Sequence, residues 1–503
     1  MKRTLLILLL ATSSILNLRA ADGDSIWNVS TIHDIYLNFT QTGFYDSLIN
    51  THTTDTYMQC DMIMDGRSLP AIGAKFKGNS SFNNPSIKKS MKLDLNYYVA
   101  GQNYDGIKKL NLNNGFKDPS FLREKIALDF MNAHNVAAPR CTFVRLYLNN
   151  TYWGLYALVE EIDGKFLKQH YPDNNGNLYK GDPTGDLKWY GSSASSYYSH
   201  YELNSSSTVI DWSDLVHFLD LGNNTAASGY FDSLETVLDS WSFLNYLAAQ
   251  NIFANLDSYA GSGHNYFAFD DSTYFHFRWI AWDVNEAFGN FNMSMTLTQI
   301  ENMNYDYLST PSNRPVAMKM FADPTYHSMY ITSFCNMMPD FNNAKLDPII
   351  DSLANAIRAD VYADPNKFFT NQQFEDNLNM NIGNTAGLKP FITARNASLT
   401  SQLAAYGCWL GVNNATIEPT DLKVFPNPAN DNFSVIIPSG WTMDDCEISL
   451  LDFSGRRCME ETGISVENGK FTVNTQNLTT GIYFMQLKNK SGEFIQTRIS
   501  IIH

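Results

Sequence analysis

Three short segments in the second half of the chain carry carboxylate and amide side chains at spacings suited to phosphate chemistry. Asn255-Leu256-Asp257 is followed eight residues later by Asn265, and Asp283 and Asn285 come after the next predicted strand. Phosphoryl transfer uses a carboxylate near the attacking hydroxyl, and an Asn and an Asp that hold magnesium against the phosphate oxygens. Because Asp283 ends the apolar run Trp279-Ile280-Ala281-Trp282, we expect a buried strand to carry it into a cleft, where a metal ion is a natural partner.

A second group of residues, nearer the start of the chain, could bind an anion. Lys77-Gly78-Asn79-Ser80-Ser81 precedes Lys88-Lys89-Ser90-Met91-Lys92, which lies on the next predicted strand. Glycine and small hydroxyl residues let backbone N–H groups approach an anion, and lysines neutralise phosphate charge. Taken alone, this pattern is more typical of a turn followed by a solvated basic strand. Glu160, on the apolar strand that contains Gly154, could pair with one of the lysines, although a lone Glu is usually solvated.

The elements that must position these residues are predicted to be strands first and helices later. Apolar and polar side chains alternate with strand period in the first part of the chain, and helical spacing dominates the second. The predicted segments are mostly β structure from about 30 to 115, a helix at 120–132, strands at 142–148 and 152–160, a long loop at 172–210, helices at 212–256, a hairpin at 264–269 and 274–281, and helices at 315–410. This order predicts an α+β fold.

Composition and charge limit the class of protein. The 503 residues are 44% hydrophobic and 17% charged, which is typical of a globular chain with more than one domain. A formal net charge of −16 makes nucleic acid and anionic membranes poor partners, so a phosphate-binding cleft would be a local basic island.

The N-terminus predicts a secretory signal peptide over residues 1–20. It has a basic start, the apolar run Leu5-Leu6-Ile7-Leu8-Leu9-Leu10, and the small residues Ala20-Ala21. A membrane anchor is the alternative, but the run is shorter than the ~20 residues that a span needs, and we see no other spanning segment.

The six cysteines and several absent motifs exclude some kinds of site. No cysteine pair has C-x-x-C spacing, which argues against a structural zinc site. Cys446 and Cys458 lie on neighbouring predicted strands and could form a disulfide, with buried thiols as the alternative. The sequence also lacks the phosphate-loop, nucleophile-elbow, zinc-protease and dinucleotide-binding motifs.

The last eighty or so residues resemble the type A sorting domain of the type IX secretion system. Three motifs carry the resemblance in order: Val424-Phe425-Pro426-Asn427-Pro428, then Ile448–Arg456 with its Ser454-Gly455 turn, then Leu478-Thr479-Thr480-Gly481-Ile482-Tyr483. The resemblance implies a small β-sandwich at residues 420–503 and export through the outer membrane of a Gram-negative bacterium by the type IX machinery. It also implies removal of the domain, with secretion or attachment to the outer surface. An ordinary immunoglobulin-like binding module is the alternative.

The preceding motifs resemble those of the spore coat protein H (CotH) kinase-like family. That family's pattern is R-G-N-S-S with K-K-S-Y-K, then G-x-Y-x-L-x-E-x-I-D, then N-x-D with a downstream N-Y, then W-D-x-D-x-x-F-G. The chain keeps Gly78, Asn79, Ser80, Ser81, Lys88, Lys89, Ser90, Lys92, Gly154, Tyr156, Leu158, Glu160, Ile162, Asp163, Asn255, Asp257, Asn265, Trp282, Asp283, Phe288 and Gly289. It departs at Lys77, which replaces an Arg, and at Asn285, where many members have a second Asp. The resemblance begins at Ile32 and continues through Arg314-Pro315-Val316 to about Leu403.

This resemblance implies a divergent protein-kinase-like domain at residues 21–415, with a β-rich N-lobe and a helical C-lobe, followed by an immunoglobulin-like sandwich. It implies ATP and Mg²⁺, or Mn²⁺, as cofactors. Asp257 would be the catalytic base or hydroxyl-orienting residue. Asn265, Asp283 and Asn285 would bind the metal, Asn285 with less charge than the family's Asp. The implied nucleotide-binding residues are Lys77, Asn79, Ser80, Arg123 and one of Lys88, Lys89 and Lys92 paired with Glu160.

Two functions of different classes remain open, with a weaker third. The first is an exported protein kinase that transfers phosphate to Ser or Thr of proteins outside the cytoplasm. The second is a surface adhesion or scaffold protein with a kinase-like fold and no catalysis, which the scarcity of ATP outside cells favours. The third is carbohydrate binding, suggested by Trp189-Tyr190 and Tyr197-Tyr198, which we expect to be exposed.

Overall fold

The structure, a computed structural model, describes residues 22–27, 32–172, 174–204, 211–273, 276–408, 424–427, 429–436, 446–452, 457–461, 470–489 and 494–501. The chain divides into two compact units, Met1–Trp409 and Leu410–His503. The predicted signal peptide lies outside the described residues. In the part that is described, no helix combines the length and the hydropathy needed to cross a lipid bilayer.

The first unit begins with strands whose side chains alternate between buried and solvent-facing positions. Its first seven described strands are β1 (His33–Asn38), β2 (Met58–Met64), β3 (Arg67–Lys77), β4 (Ser90–Asp94), β5 (Lys109–Asn113), β6 (Cys141–Leu148) and β7 (Thr151–Glu160). They close into a barrel in the order β1-β2-β3-β4-β5-β7-β6, since β1 pairs in parallel with β6 and places Ile35 opposite Leu146. The strand-rich start is confirmed, whereas the closure, which removes the free sheet edges, was not predicted.

The barrel has its own apolar core. One face of each strand supplies it, as the period of two along a strand requires. The interior residues include Ile35, Leu37, Met62, Met64, Ala74, Phe76, Met91, Leu93, Leu110, Leu112, Leu146 and Leu158. The opposite face of β3, β4 and β5 carries polar side chains, and these face the candidate site described below.

Helices are the main regular structure in the rest of the first unit. They are α1 (Asp24–Trp27), α2 (Phe44–Thr51), α3 (Ser80–Asn83), α4 (Arg123–Ala133), α5 (Gly164–His170), α6 (Ser213–Asn224), α7 (Tyr230–Leu234), α8 (Ser240–Ile252), α9 (Leu297–Glu301), α10 (Pro315–Ala322), α11 (Pro324–Met337), α12 (Asn343–Ala363), α13 (Asn371–Asn379) and α14 (Leu388–Leu403). Short 3₁₀ turns lie at His52–Thr54, Ala194–Ser196, Ala227–Gly229, Pro311–Asn313 and Ala404–Tyr406. The helices after β7 share a large core with one face of α4, so the predicted α+β organisation is confirmed.

A second sheet crosses the helical part and corrects the prediction of a long loop at 172–210. Four described strands, β8 (Leu178–Lys180), β9 (Glu202–Leu203), β10 (Tyr266–Asp271) and β11 (His276–Ala281), pair in the order β11-β10-β8-β9. β8 pairs with β10, with Tyr179 opposite Ala268. A three-residue strand has too short a pattern to be recognised without its distant partner. The predicted hairpin is confirmed as β10 and β11.

A disulfide joins Cys335 on α11 to Cys408, across 73 residues of sequence. It fastens the end of the first unit to its helical core. The predicted pairing of Cys446 with Cys458 stays a prediction, because the side chain of Cys446 is not described.

The second unit is a β-sandwich. Its described strands are β12 (Val424–Phe425), β13 (Asn432–Ile436), β14 (Cys446–Asp452), β15 (Arg457–Glu461), β16 (Lys470–Asn474), β17 (Gly481–Asn489) and β18 (Phe494–Ile501). They form one sheet in the order β12-β13-β16 and another in the order β15-β14-β17-β18. Phe433 and Val473 from the first sheet and Leu450, Met485 and Ile499 from the second share one buried core. The predicted all-β character is confirmed, and Cys446 and Cys458 lie on the neighbouring strands β14 and β15.

Candidate active site

A cleft of about 840 Å³ is lined by residues of the barrel and by residues at the ends of β10 and β11. Eight of the twelve predicted site residues line this cleft: Lys77, Asn79, Ser80, Lys92, Asp257, Asn265, Asp283 and Asn285. The first four come from β3, the segment after it and β4, and the last four come from segments that flank the β10–β11 hairpin. The fold therefore brings the two groups of polar residues that are distant in sequence to one cavity.

The hairpin register explains why Asp257, Asn265 and Asp283 lie together. Tyr266, the first residue of β10, is opposite Ala281, the last residue of β11. Asn265 and Asp283 consequently flank the same end of the hairpin, and the Asn265 side chain donates a hydrogen bond of 2.9 Å to the backbone carbonyl of Asp257. Asn265 and Asp283 have left-handed φ values of 60° and 52°, a strained geometry that often marks functional sites.

Asp257 is held by side chains of its own loop. Its Oδ1 atom lies 2.7 Å from Nε2 of His264 and accepts a hydrogen bond of 3.1 Å from the Ser262 hydroxyl. Its backbone N–H donates to Oδ1 of the buried Asn255 at 3.2 Å. Burial acts to lower the pKa of His264, but the hydrogen bond and the negative charge of Asp257 outweigh it and raise that pKa. His264 was not predicted as a site residue.

A buried arginine fixes the loop that contains Ser262. The Arg314 guanidinium donates to the backbone carbonyls of Tyr259, Gly261 and Asn313, with the Gly261 bond at 2.6 Å. These bonds shape the turn between Asp257 and β10, so Arg314 supports the site without lining the cleft.

Asp283 is half-buried and, within the described residues, has no hydrogen-bond or ion-pair partner. Burial raises the pKa of its carboxyl group, and the ammonium of Lys77 acts in the opposite direction. A carboxylate in this position gains from a cation nearby.

The donor set of Asp283, Asn265 and Asn285 fits Mg²⁺. Carboxylate and amide oxygens are the hard ligands that this cation takes, and it is commonly held by one or two carboxylates together with substrate phosphates. Among the described residues, no group of three or more His, Cys, Asp or Glu side chains is arranged to hold a metal ion. Magnesium bound by these residues would take its remaining ligands from water or from substrate phosphates.

Lys92 is the lysine of β4 that lies in the cleft, and its partner is Glu161. Its Nζ atom is 2.5 Å from Oε1 of Glu161, and Asn111 donates to Oε2 of the same carboxylate at 2.8 Å. Lys92 and Asn111 are cross-strand neighbours on β4 and β5. Burial acts to raise the pKa of Glu161, but the charge of Lys92 and the hydrogen bonds from Lys92 and Asn111 outweigh it, so the pKa is lowered. An ionised Glu161 thus fixes the Lys92 ammonium.

Glu124 is a buried carboxyl group that was not predicted from the sequence. It lies in the first turn of α4, and the Asn113 amide donates to both of its oxygens at 2.8 Å. Burial, with a further contribution from the charge of Asp283, raises its pKa to about 7. Burial lowers the pKa of the neighbouring Lys77, while the charges of Asp283 and Glu124 act to raise it. Lys77, Glu124 and Asp283 all line the cleft, and the Lys77 ammonium donates to Oδ1 of Asn111 at 3.4 Å.

The structure corrects the predicted partner of Glu160. Glu160 forms an ion pair of 2.6 Å with Arg140 and does not line the cleft. Residues 160 and 161 are adjacent at the end of a strand, where successive side chains point to opposite faces. The next residue, Glu161, has the same parity as Val159, which is opposite Asn111, and so faces the cleft.

Two other predicted nucleotide-binding residues, Lys88 and Arg123, are buried and do not line the cleft. Lys88 is fully buried and pairs with Asp364 at 2.5 Å. Arg123 is fully buried and pairs with Asp118 at 2.6 Å, also donating to Asn377 at 2.8 Å. Each of these charges is satisfied inside the fold, which sequence pattern alone did not reveal.

Lys89 shapes the segment that follows β3 instead of lining the cleft. Its ammonium donates to the backbone carbonyls of Phe82 and Asn84. Gly78 has φ 93°, and a Cβ atom there would lie 2.2 Å from Oγ of Ser81, so the turn requires glycine. Asn79 and Ser80 are exposed at the cleft margin.

The aromatic residues that suggested carbohydrate binding are not all exposed. Tyr197 is fully buried, and Trp189 is half-buried. Tyr190 and Tyr198 are exposed, and Tyr190 stacks on His200 with ring centroids 4.2 Å apart. Of these four aromatic residues, only Tyr190 and Tyr198 are exposed.

Comparison with known proteins finds a matching family for each of the two units. The sequence model described as CotH kinase protein matches residues 74–399, and the model described as secretion system C-terminal sorting domain matches residues 423–502. The inner spore coat protein H of Bacillus subtilis (strain 168) is 22% identical over 283 residues, which cover 56% of this chain and 75% of that protein. The chain therefore belongs to the CotH kinase protein family and carries a secretion system C-terminal sorting domain.

Proposed function

We propose that the first unit is an atypical protein kinase that transfers the γ-phosphate of ATP to Ser or Thr side chains of proteins outside the cytoplasm. One observation carries this proposal: Asp257, Asn265 and Asp283 flank one end of a hairpin and face Lys77 and the Lys92–Glu161 pair across a single cleft. Phosphoryl transfer needs these groups and little else from a protein. In this proposal the barrel and the helical part correspond to the two lobes of a kinase-like fold.

Different residues of the cleft bind the nucleotide phosphates and the metal ion. Lys77 and Lys92 neutralise phosphate oxygens, and Glu161 keeps the Lys92 ammonium oriented toward the cleft. Asn79 and Ser80, at the cleft margin, offer polar groups to the phosphates. Asp283, Asn265 and Asn285 would hold Mg²⁺ or Mn²⁺, which would supply positive charge to the nucleotide phosphates.

Asp257 acts on the acceptor. Its carboxylate accepts a hydrogen bond from the Ser or Thr hydroxyl and takes its proton as the hydroxyl oxygen bonds to the γ-phosphorus. The bond between that phosphorus and the β–γ bridging oxygen breaks, and ADP leaves. Most of the acceleration comes from positioning and charge neutralisation in the cleft.

A catalytically inactive adhesion or scaffold protein is the competing function. Asn285 favours it, because an amide at a metal-binding position attracts the cation less strongly than the carboxylate that many relatives have there. The pairing of Lys92 with Glu161 and the absence of any hydrogen bond to the Asp283 carboxylate, among the described residues, favour catalysis, because a scaffold has no use for either.

The sorting domain supports export. We propose that the type IX secretion machinery carries the chain to the cell surface, so that its protein substrates lie outside the cytoplasm. This location agrees with a chain that carries a disulfide.

The test is phosphate transfer by the purified protein. With labelled ATP, Mg²⁺ or Mn²⁺ and a Ser-rich acceptor, wild type should label itself or the acceptor. Asp257→Ala should abolish labelling and leave ATP affinity within a few-fold, because Asp257 faces the acceptor. Asp232→Ala, at an exposed position on α7, is the matched control. No transfer by wild type with either cation, or equal labelling by wild type and Asp257→Ala, would refute the proposed role.

A further inference from the structure

The two oxygens of the Asp257 carboxylate have different surroundings. Oδ1 is engaged by the Ser262 hydroxyl and by His264 Nε2. Among the described contacts, Oδ2 accepts no hydrogen bond, although Asp257 lines the cleft. An ionised carboxylate only accepts hydrogen bonds, so Nε2 of His264 must carry the hydrogen that it shares with Oδ1.

Hydrogen bonds fix the backbone both before and after His264. The next residue, Asn265, donates to the Asp257 backbone carbonyl and immediately precedes β10. The preceding turn is fixed by the bonds from Arg314 to the carbonyls of Tyr259 and Gly261. The imidazole is therefore attached to a rigid support, while the Asp257 side chain would otherwise rotate about its own χ angles.

We propose that His264 is a positioning residue, which fixes the Asp257 carboxylate so that Oδ2 faces the acceptor hydroxyl. This inference rests on the proposed kinase function. Oδ1 is occupied by two donors, and Oδ2 is the oxygen that remains to accept the hydroxyl proton. Ser262 adds a second, longer hydrogen bond to Oδ1. His264 also lines the cleft, and in this arrangement its effect on transfer is exerted through Asp257.

Two amide substitutions that differ only in reach test this arrangement. In His264→Gln the side-chain amide extends to about the position of Nε2 and keeps the donor. In His264→Asn the amide reaches only to about the position of Nδ1 and loses the contact. We expect kcat of His264→Asn to fall tenfold or more with KM for ATP within threefold of wild type, and kcat of His264→Gln to stay within threefold of wild type. A purely structural role would lower the melting temperature and would not separate kcat from KM.

Crystal structures of both variants provide a second measurement, which does not depend on activity. Asp257 should keep its rotamer in His264→Gln and should turn or occupy two rotamers in His264→Asn. Equal kcat for the two variants, or an unmoved Asp257 in His264→Asn, would overturn the inference. If wild type transfers no phosphate while Asp257 still turns in His264→Asn, the proposed kinase function fails and the positioning contact stands.

Discussion

At the scale of single residues, the three neighbouring lysines of one segment have three different environments. Lys88 is fully buried against Asp364, Lys89 binds backbone carbonyls of the segment after β3, and Lys92 lies in the cleft beside Glu161. Only the last of these ammonium groups lines the cavity. Substitution of Lys88 should therefore change stability, and substitution of Lys89 should change the shape of the turn at Gly78. Substitution of Lys92 should change nucleotide affinity.

The metal site can be tested by removing and adding charge. Asp283→Ala removes a carboxylate that would face the cation, so the affinity for ATP with magnesium should fall by about tenfold or more. Asn285→Asp adds a carboxylate to the same donor set and should tighten binding. Titration calorimetry with ATP and Mg²⁺ measures both. Unchanged affinity in a folded Asp283→Ala protein would rule out the role given to Asp283.

Glu124 predicts a pH dependence of stability. Burial, aided by the charge of Asp283, raises its pKa from 4.5 to about 7, so the folded protein binds more protons than the unfolded chain between these values. Stability should consequently fall as pH rises from about 4.5 to about 7 and level off above that, by on the order of 1–3 kcal/mol. Glu124→Gln should flatten this profile. Urea unfolding in the presence of a chelator measures it, and parallel profiles for wild type and variant would contradict the assignment.

At the scale of elements, a buried ion pair ties the barrel to the helical part. Asp364, just after α12, accepts hydrogen bonds from Lys88 and from the Leu155 backbone N–H at 3.0 Å. A Cβ atom on Gly154, where φ is 144°, would lie 2.6 Å from the Asp364 carboxylate oxygens, so glycine is required there. The motif residues Lys88, just before β4, and Gly154, on β7, thus both contact the residue that follows α12.

Breaking this pair should destabilise the first unit. Lys88→Met leaves the Asp364 carboxylate buried without its partner, which should cost about 3–5 kcal/mol. Lys88→Met combined with Asp364→Leu should recover part of that loss. Lys345→Met, at a side chain that is 65% exposed, is the control and should change little. Denaturant unfolding gives the free energies. A loss of ATP affinity with unchanged stability would instead indicate that Lys88 binds the nucleotide.

At the scale of the whole molecule, the chain combines a first unit that contains the polar cleft with a second unit that matches a secretion sorting domain. The matched sorting region, residues 423–502, begins after the disulfide that closes the first unit at Cys408. Removing that region therefore leaves the described secondary structure and the disulfide of the first unit intact.

Deleting residues 420–503 should trap the protein in the periplasm of a Gram-negative host that has the type IX machinery. The residues that line the cleft all belong to the first unit, so phosphate transfer by the truncated protein should be unchanged. Cell fractionation and immunoblotting measure the location. Fusing residues 420–503 to an exported reporter is the complementary control and should bring the reporter to the surface. Normal surface levels of the truncated protein would contradict a sorting role.

The sequence by itself determined the chemistry available and its order along the chain. Asp257, Asn265 and Asp283 flank a hairpin that local alternation predicts, and hairpin partners are close in sequence, so their meeting follows from local structure. The alternating strands and the periodic helices likewise fixed the α+β class and the C-terminal sandwich, because burial of one face imposes these periods.

Only the tertiary structure decided which of two adjacent side chains faces the cleft. Alternation along β7 separates Glu160 from Glu161, but the partner strands and Arg140 determine which face is which. The parallel closure of β1 on β6, the pairing of β8 with β10, and the Cys335–Cys408 disulfide all join segments that are far apart in sequence. The hydrophobic periodicity within a segment does not identify its distant pairing partner. The free energy that selects that partner comes from contacts made only when the chain is folded.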